Sequence, residues 1–191
     1  MKRTRLLAVC LLICCSSSPS FSGSKSNAPK SRIERYSATL SIVSGPGSGT
    51  VRPITIYISD YSTDAEANML TGAFADGGSK MLFKALTKLK TKGRIAPSGS
   101  VGYQIRFIRS VDTPNGRKVT MLTDRPIGFL EAYYGTRSKD YQYGLVELTL
   151  NDNGKGEGSL IYAAKVAIRG DTIEVENFGI EPARVLNIRK L

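Results

Sequence analysis

The side chains best suited to chemistry lie in a strand-like stretch of the chain, IGFLEAYY, at residues 127–134. Phe129, Glu131 and Tyr133 alternate onto one face of this predicted strand. If that face is internal, Glu131 is a carboxylate among apolar neighbours, and burial would raise its pKa. A carboxyl group in such a place can bind a polar ligand group or take part in proton transfer.

Basic and aromatic residues around this stretch complete a candidate ligand site. Arg125 or Arg106 could pair with Glu131, while the tyrosines stack on the rest of the ligand. The predicted ligand-binding residues are Arg125, Phe129, Glu131, Tyr133 and Tyr143. The structural alternative is a strand-edge carboxylate in a surface ion pair, beside tyrosines that simply favour β-sheets, since structural charge pairs also perturb pKa values.

The composition excludes the commonest catalytic groups. The chain has no histidine, so neither a Ser-His-Asp nor a Cys-His arrangement can form. Its cysteines all lie at or before Cys15, which removes the usual zinc ligand sets from the rest of the chain. Glu131 and Glu147 could provide a carboxylate pair for hydrolysis, but the sequence does not fix the separation that this chemistry requires. We expect no cofactor and no metal site, and binding rather than catalysis.

A glycine-rich stretch, LTLNDNGKGEGSLIYAAKV at residues 148–166, could in principle cradle a phosphate group. Gly154, Gly156 and Gly158 match neither GxxxxGK[ST] nor GxGxxG. Apolar residues alternate with strand rhythm on both sides, and no helix N-terminus follows that could hold an anion. The stretch therefore predicts a β-hairpin that turns at residues 152–154.

The N-terminal residues have the pattern of a secretory signal peptide. A basic head and an apolar run at residues 6–15 are followed by small polar residues. We expect residues 1–22 to be the signal peptide. Lipid anchoring through Cys15 is the alternative, although Cys14 stands where lipoprotein processing prefers a small residue.

The remainder of the chain divides into an arm and a domain. Residues 23–35 are rich in basic and small polar residues and predict a flexible arm, and residues 36–191 predict a single β-rich domain. The net charge of the chain is +11. Much of this excess lies on the arm rather than on a carved groove, so we expect a solvated arm, and contact of the arm with an anionic surface is the alternative.

The hydrophobic pattern of the domain is mainly that of β-strands. Ile54, Ile56 and Ile58 share one face of a predicted strand, and the pair Asn115-Gly116 suits a tight hairpin turn further along. About nine strands, with one helical pair inserted after the second strand, predict an α+β fold. We expect a mainly antiparallel β structure, either a curved sheet or a barrel.

Helical periodicity marks the segment that follows the second strand. Thr63 and Glu66 have capping-box spacing, and Gly77-Gly78 divides the pattern into two helices. The second helix carries a row of basic residues at four-residue spacing: Lys80, Lys84 and Lys88. Such a row is usually a solvated face, and the alternative is a surface for an acidic partner.

Two segments of the chain resemble a group of bacterial proteins. DRPIGFLEAYYG, residues 124–135, and YGLVELTLNDNGKGEGSLIYAAKV, residues 143–166, are similar to segments of uncharacterised, predicted-exported bacterial proteins of unassigned function. The resemblance extends over most of the chain after residue 36. It implies export in a bacterium, and it implies no activity and no site residues.

These observations favour an exported, non-enzymatic binding domain in the periplasm or outside the cell. Its ligand would be a small apolar or amphipathic molecule held in a cavity of the curved sheet. One alternative is a protein-interaction module of the cell envelope or extracellular space, and a second is a histidine-free hydrolase that uses carboxylates. We expect a small molecule or an envelope component as partner, no nucleic acid and no transmembrane segment.

Overall fold

Strands account for most of the chain in the computed structural model, which describes residues 33–44, 47–128, 142–169, 172–177 and 181–191. Within these ranges the strands are β1 (Glu34–Ser41), β2 (Val51–Ile58), β3 (Gly93–Pro97), β4 (Tyr103–Thr113), β5 (Gly116–Thr123), β6 (Tyr143–Leu150), β7 (Gly156–Arg169), β8 (Thr172–Asn177) and β9 (Ala183–Lys190). One helix, α1 (Asp64–Leu86), lies between β2 and β3 in the described part of the chain.

The strands close into an antiparallel barrel. From β1 to β7 each strand pairs with the next one along the chain. β9 then lies between β7 and β1 and completes a ring of eight strands, while β8 pairs with β7 outside the ring. This confirms the predicted α+β class, and a closed barrel, rather than an open curved sheet, is the form it takes.

Apolar side chains of the described strands line the interior of the barrel and form its core. The alternation predicted for β2 is present, because Ile54, Ile56 and Ile58 are buried and face inward. An eight-stranded barrel is just wide enough for its inward-facing side chains to fill it. Every barrel strand contributes a fully buried residue to this core: Tyr36, Ile56, Ile95, Ile105, Met121, Leu148, Leu160 and Val185.

The helix packs against the outside of the barrel. Leu70, Leu82 and Leu86 of α1 are buried in a second apolar cluster that includes residues of β4, β5, β6 and β7. The predicted capping box is present at Thr63, and the helix is kinked at Gly77-Gly78, where the predicted pair of helices meets. Within the described ranges, no helix is long and apolar enough to cross a membrane.

The glycine-rich stretch is the predicted hairpin between β6 and β7. Gly154 occupies the turn with a φ of 68°. A Cβ atom on Gly156 would lie 1.9 Å from the carbonyl oxygen of Thr149, and one on Gly158 would lie 2.2 Å from that of Glu147. The two strand glycines therefore let the β6 backbone approach closely, and the stretch does not form a phosphate cradle.

The hairpin between β4 and β5 turns one residue earlier than predicted. Thr113 pairs with Gly116, so Pro114 and Asn115 form the turn instead of Asn115 and Gly116. Pro114 has its φ fixed near the value that the first central turn position requires. Only Gly116 of the predicted pair has a positive φ, 132°.

We expect Gly156→Ala to lower the free energy of unfolding by about 2 kcal/mol, because the added methyl group must displace the Thr149 backbone in a close-packed barrel. Gly72→Ala is the matched control. Gly72 lies in α1, and no atom lies within 4 Å of the position that its Cβ would take, so alanine there should stabilise the protein by up to about 1 kcal/mol. Urea denaturation followed by circular dichroism measures both. Equal effects of the two substitutions would contradict the close approach.

Candidate functional site

The structure describes two of the predicted ligand-binding residues, and they lie in different places. Phe129, Glu131 and Tyr133 lie outside the described residues. Arg125 is exposed and lines a surface groove. Tyr143 is fully buried in the apolar cluster between α1 and the barrel. The structure therefore does not bring Arg125 and Tyr143 together.

Tyr143 connects the barrel to the helix. Its hydroxyl group donates a hydrogen bond to the backbone carbonyl of Ser79 at 2.6 Å and accepts one from Ser79 Oγ at 3.3 Å. Its ring meets Phe83 edge-on, with ring centroids 6.1 Å apart. Burial raises the pKa of Tyr143, and the hydrogen bond with Ser79 only partly offsets this effect. These contacts are those of a tyrosine in a packed core.

Glu147, the described member of the carboxylate pair considered for hydrolysis, is held in an ion pair. Its Oε1 atom lies 2.9 Å from Nζ of Lys118 on the neighbouring strand β5. Among the described residues, no group of three or more acidic, cysteine or histidine side chains could hold a metal ion.

A groove of about 680 Å³ crosses β2, β3 and β4 on the outside of the barrel. Its centre is a row of side chains set by strand register, since Tyr57 is paired with Arg94, and Arg94 with Gln104. Residues that are opposite each other on neighbouring strands project from the same face of the sheet. Arg106 of β4 and Arg125, just after β5, extend the lining. We call this site the arginine groove and define it by Arg94, Arg106 and Arg125.

Arg106 is fixed in position by three hydrogen bonds. Its Nε atom donates to Oδ2 of Asp124 at 2.8 Å. Its Nη1 atom donates to the carbonyl of Leu89 at 3.0 Å and to Oγ1 of Thr91 at 3.3 Å. The second terminal nitrogen, Nη2, makes none of these three bonds.

The other two arginines are held by aromatic rings. The guanidinium carbon of Arg94 lies 4.2 Å from the ring centroid of Tyr57, and that of Arg125 lies 4.9 Å from the ring centroid of Tyr103. A cation over an aromatic face is attracted by the electron-rich ring. Stacking of this kind limits the conformations of an exposed arginine while leaving its N–H groups directed to solvent.

The polar groups of the arginine groove are mainly hydrogen-bond donors. Gln104 Oε1 accepts a hydrogen bond from Thr91 Oγ1 at 3.1 Å, which leaves the Gln104 amide nitrogen as a donor. Asp124 is the acidic residue in the lining, and its charge is already paired with Arg106. The groove is therefore suited to a ligand with anionic or acceptor-rich groups, because guanidinium donors match the geometry of carboxylate, phosphate and sulfate oxygens.

A second polar cluster closes one end of the barrel. The carboxylate of Glu34, a buried residue at the start of β1, accepts hydrogen bonds from Arg117 Nη2 at 2.6 Å and from the hydroxyl group of Tyr61 at 3.3 Å. It also accepts one from Tyr36, whose hydroxyl group lies inside the same cluster. Lys190 Nζ lies 3.8 Å away. The cluster joins β1, β5, β9 and the segment after β2.

The contacts of Glu34 in this cluster favour its ionised form, which makes a salt bridge with Arg117. Burial by itself would raise the pKa of Glu34, but the hydrogen bonds from Tyr36 and Arg117 and the positive charge of Arg117 outweigh it and lower the pKa. Burial raises the pKa of Tyr61 to about 12, and the Glu34 charge adds to this rise while Arg117 opposes it. Burial also raises the pKa of Tyr36, so the hydroxyl groups of Tyr36 and Tyr61 both stay protonated as hydrogen-bond donors.

Sequence reasoning missed the arginine groove. The sequence pattern assigns no function to Arg94 or Tyr57, and it offers Arg106 only as a partner of Glu131. The available signal was the alternation along β4, where Gln104 and Arg106 lie on the polar face. That signal identifies an exposed strand face, but only the register between β2, β3 and β4 brings the residues together.

Comparison of the chain with protein-family models, with curated proteins and with solved structures found no match.

We expect Glu34→Gln to lower the free energy of unfolding by about 2 kcal/mol at neutral pH, because it leaves the partly buried charge of Arg117 without its partner. The pKa of Glu34 is lower in the folded protein, so its contribution is present above the ordinary value of 4.5 and is lost as the pH falls through the folded-state pKa. The difference in free energy of unfolding between wild type and variant should therefore shrink as the pH falls through the folded-state pKa of Glu34.

Glu147→Gln is the matched control for this prediction. Its ion pair with Lys118 is more exposed, so the substitution should change the free energy of unfolding by less than about 1 kcal/mol. Urea denaturation at a series of pH values measures both variants. If Glu34→Gln were no more destabilising than Glu147→Gln at neutral pH, the structural importance of the Glu34 cluster would be refuted.

Proposed function

We propose that this chain is an exported, non-enzymatic binding domain that binds an anionic ligand in the arginine groove. The observation that carries the proposal is the arrangement of Arg94, Arg106 and Arg125 around one concave surface, with Asp124 as the acid in the lining already neutralised by Arg106. The volume of about 680 Å³ falls within the usual range for small-ligand sites.

The arginines support this proposal because they are held in place before any ligand arrives. Arg106 is fixed by Asp124, Leu89 and Thr91, and each of the other two is stacked on a tyrosine ring. Side chains that are ordered in the free protein lose little conformational entropy on binding, so more of the interaction energy appears as affinity. Arg94 and Arg106 also lie on strands of the closed barrel, which adds to the rigidity of their positions.

An apolar or amphipathic ligand inside the barrel remains a prediction. The described interior is occupied by packed side chains such as Ile56, Ile105 and Met121, so we base the proposal on the outer groove. Phe129, Glu131 and Tyr133, on which the interior site and the hydrolase alternative depend, lie outside the described residues.

Export is supported by the amino-acid pattern that precedes the barrel. Residues 1–22 have the features of a signal peptide, and β1 begins at Glu34, close to the end of the basic arm. The proposed location is the periplasm or the extracellular space, with lipid anchoring through Cys15 as the alternative. The proposed ligand is accordingly a small molecule or an envelope component.

A protein-interaction module is the second candidate, and β8 is the observation that favours it. β8 pairs with β7 alone, and in the described part of the chain its other edge has no partner strand. An unpaired strand edge can accept a strand from another protein.

The test of the first candidate uses isotope-labelled protein titrated with galacturonate and, separately, with sulfate. We expect amide shifts concentrated at the residues that line the groove, on β2, β3 and β4 and just after β5. Arg94→Gln combined with Arg125→Gln should weaken binding at least about tenfold, because each charge-assisted hydrogen bond contributes about 1.5–3 kcal/mol. Neither arginine makes an ion pair in the described structure, so the fold should be retained.

The control combines Arg184→Gln with Arg189→Gln, which removes the same charge from exposed positions on β9. In the closed ring of eight strands, β9 lies halfway round from β4. The control should bind like wild type. Equal weakening in both double variants would mean that net charge alone attracts the anions, and the groove would have no specific role.

A further inference from the structure

Two members of the lysine row, Lys80 and Lys84, lie on α1, and the third, Lys88, lies in the turn that follows the helix. Lys80, Lys84 and Lys88 are exposed, and successive members are separated by about 6 Å along the helix and its last turn. None of the three makes an ion pair among the described residues. The row therefore presents unneutralised positive charge to solvent.

Direct contacts join the end of this row to the groove. Arg106 donates a hydrogen bond to the carbonyl of Leu89 at 3.0 Å, and Thr91 lines the groove. Lys88 and Lys90 flank Leu89 in the chain, and both are exposed. Lys88 and Lys90 therefore stand beside a residue that contacts Arg106, while Lys92, further along the same segment, is paired with Asp60 and Glu66.

Negative charge is absent from this part of the sequence. Residues 80–111, which include the second half of α1, all of β3 and most of β4, contain no aspartate or glutamate. Asp124 enters the groove from the end of β5 and is paired with Arg106. We call the surface formed by the lysine row, Lys90 and the arginine groove the basic track.

We infer that the basic track binds a linear acidic polysaccharide, one segment of which occupies the arginine groove while the chain continues along the lysine row. This inference rests on the proposed function of the groove and names its class of ligand. Several anionic groups on one chain engage separate cations, so the second and later contacts are intramolecular and raise the overall affinity.

The groups between the arginines fit a sugar chain. The Gln104 amide and the hydroxyl groups of Thr91 and Ser59 lie in the groove lining beside the guanidinium groups. Hydroxyl and amide groups can bind sugar hydroxyls, while the guanidinium groups bind carboxylates or sulfates on the same units.

Two other polyanions fit the track less well. Single-stranded nucleic acids are bound largely by stacking of bases on exposed aromatic rings, but Arg94 covers the ring of Tyr57, Arg125 covers that of Tyr103, and the chain has no tryptophan. A flat anionic membrane would meet the lysine row but could not enter the concave groove that holds Arg106.

The experiment compares galacturonate with long oligogalacturonate by isothermal titration calorimetry and labelled-protein titration. The long oligomer should bind at least about tenfold tighter than the monomer, with an affinity that falls as salt rises. Lys80→Gln, Lys84→Gln and Lys88→Gln combined should weaken oligomer binding about tenfold and leave monomer binding within about twofold of wild type, because only the oligomer reaches the row.

A matched triple variant controls for the loss of charge. Arg184→Gln, Arg189→Gln and Lys155→Gln remove the same charge from exposed positions on β9 and before β7. This variant should bind the oligomer like wild type. If both triple variants weaken oligomer binding equally, the track is refuted and only net charge attracts the polymer.

The remaining outcomes separate this inference from the proposed function. If the monomer binds the groove but the oligomer binds no tighter, the polysaccharide track is overturned and the anion site stands. If neither the monomer nor sulfate shifts the groove amides, both proposals fail. Tighter binding of oligothymidylate, or of phosphatidylglycerol vesicles, than of oligogalacturonate would also overturn the inference in favour of nucleic acid or membrane.

Discussion

The barrel depends on the last strand of the chain. β9 pairs with β1 on one side and with β7 on the other, and without it both strands would be open edges. The register shifts by one residue on both sides of β9, near Asn187, which has a φ of 54°. Asparagine tolerates this left-handed conformation better than most residues, so it suits an extra residue that bends the strand into the ring.

Closure of the ring also determines where the polar groups can lie. One end of the barrel brings Glu34 of β1, Arg117 of β5 and Lys190 of β9 within reach of one another, although they are far apart in sequence. The inward positions of the described strands are mainly apolar, and the polar residues Tyr57, Arg94 and Gln104 occupy the opposite face. The arginine groove forms on that outer face, supported by strands that cannot move independently.

Local patterns predicted most of the elements but not how they meet. The alternation along β2, the capping box at Thr63 and the break at Gly77-Gly78 depend on residues close in sequence, and the structure confirms them. The return of β9 to β1 depends on pairing between distant segments, which no short-range pattern specifies. The candidate site was hard to predict for the same reason. Tyr143 is a core residue. Arg125 lines a groove in which the residues of β2, β3 and β4 are brought together by the pairing register of those strands.

The distribution of charge connects the stability of the fold to its proposed role. Several acidic residues are used within the framework: Glu34 with Arg117, Asp60 and Glu66 with Lys92, Asp124 with Arg106, and Glu147 with Lys118. The chain has 27 basic and 16 acidic residues, so these pairings leave an excess of positive side chains for the surface. The sequence suggested that the N-terminal arm carries much of this excess. Between α1 and β4, Lys92 and Arg106 are paired with acids of other segments. The lysine row and Arg94 make no ion pair among the described residues, and this remaining positive charge is what the proposed anionic ligand would meet.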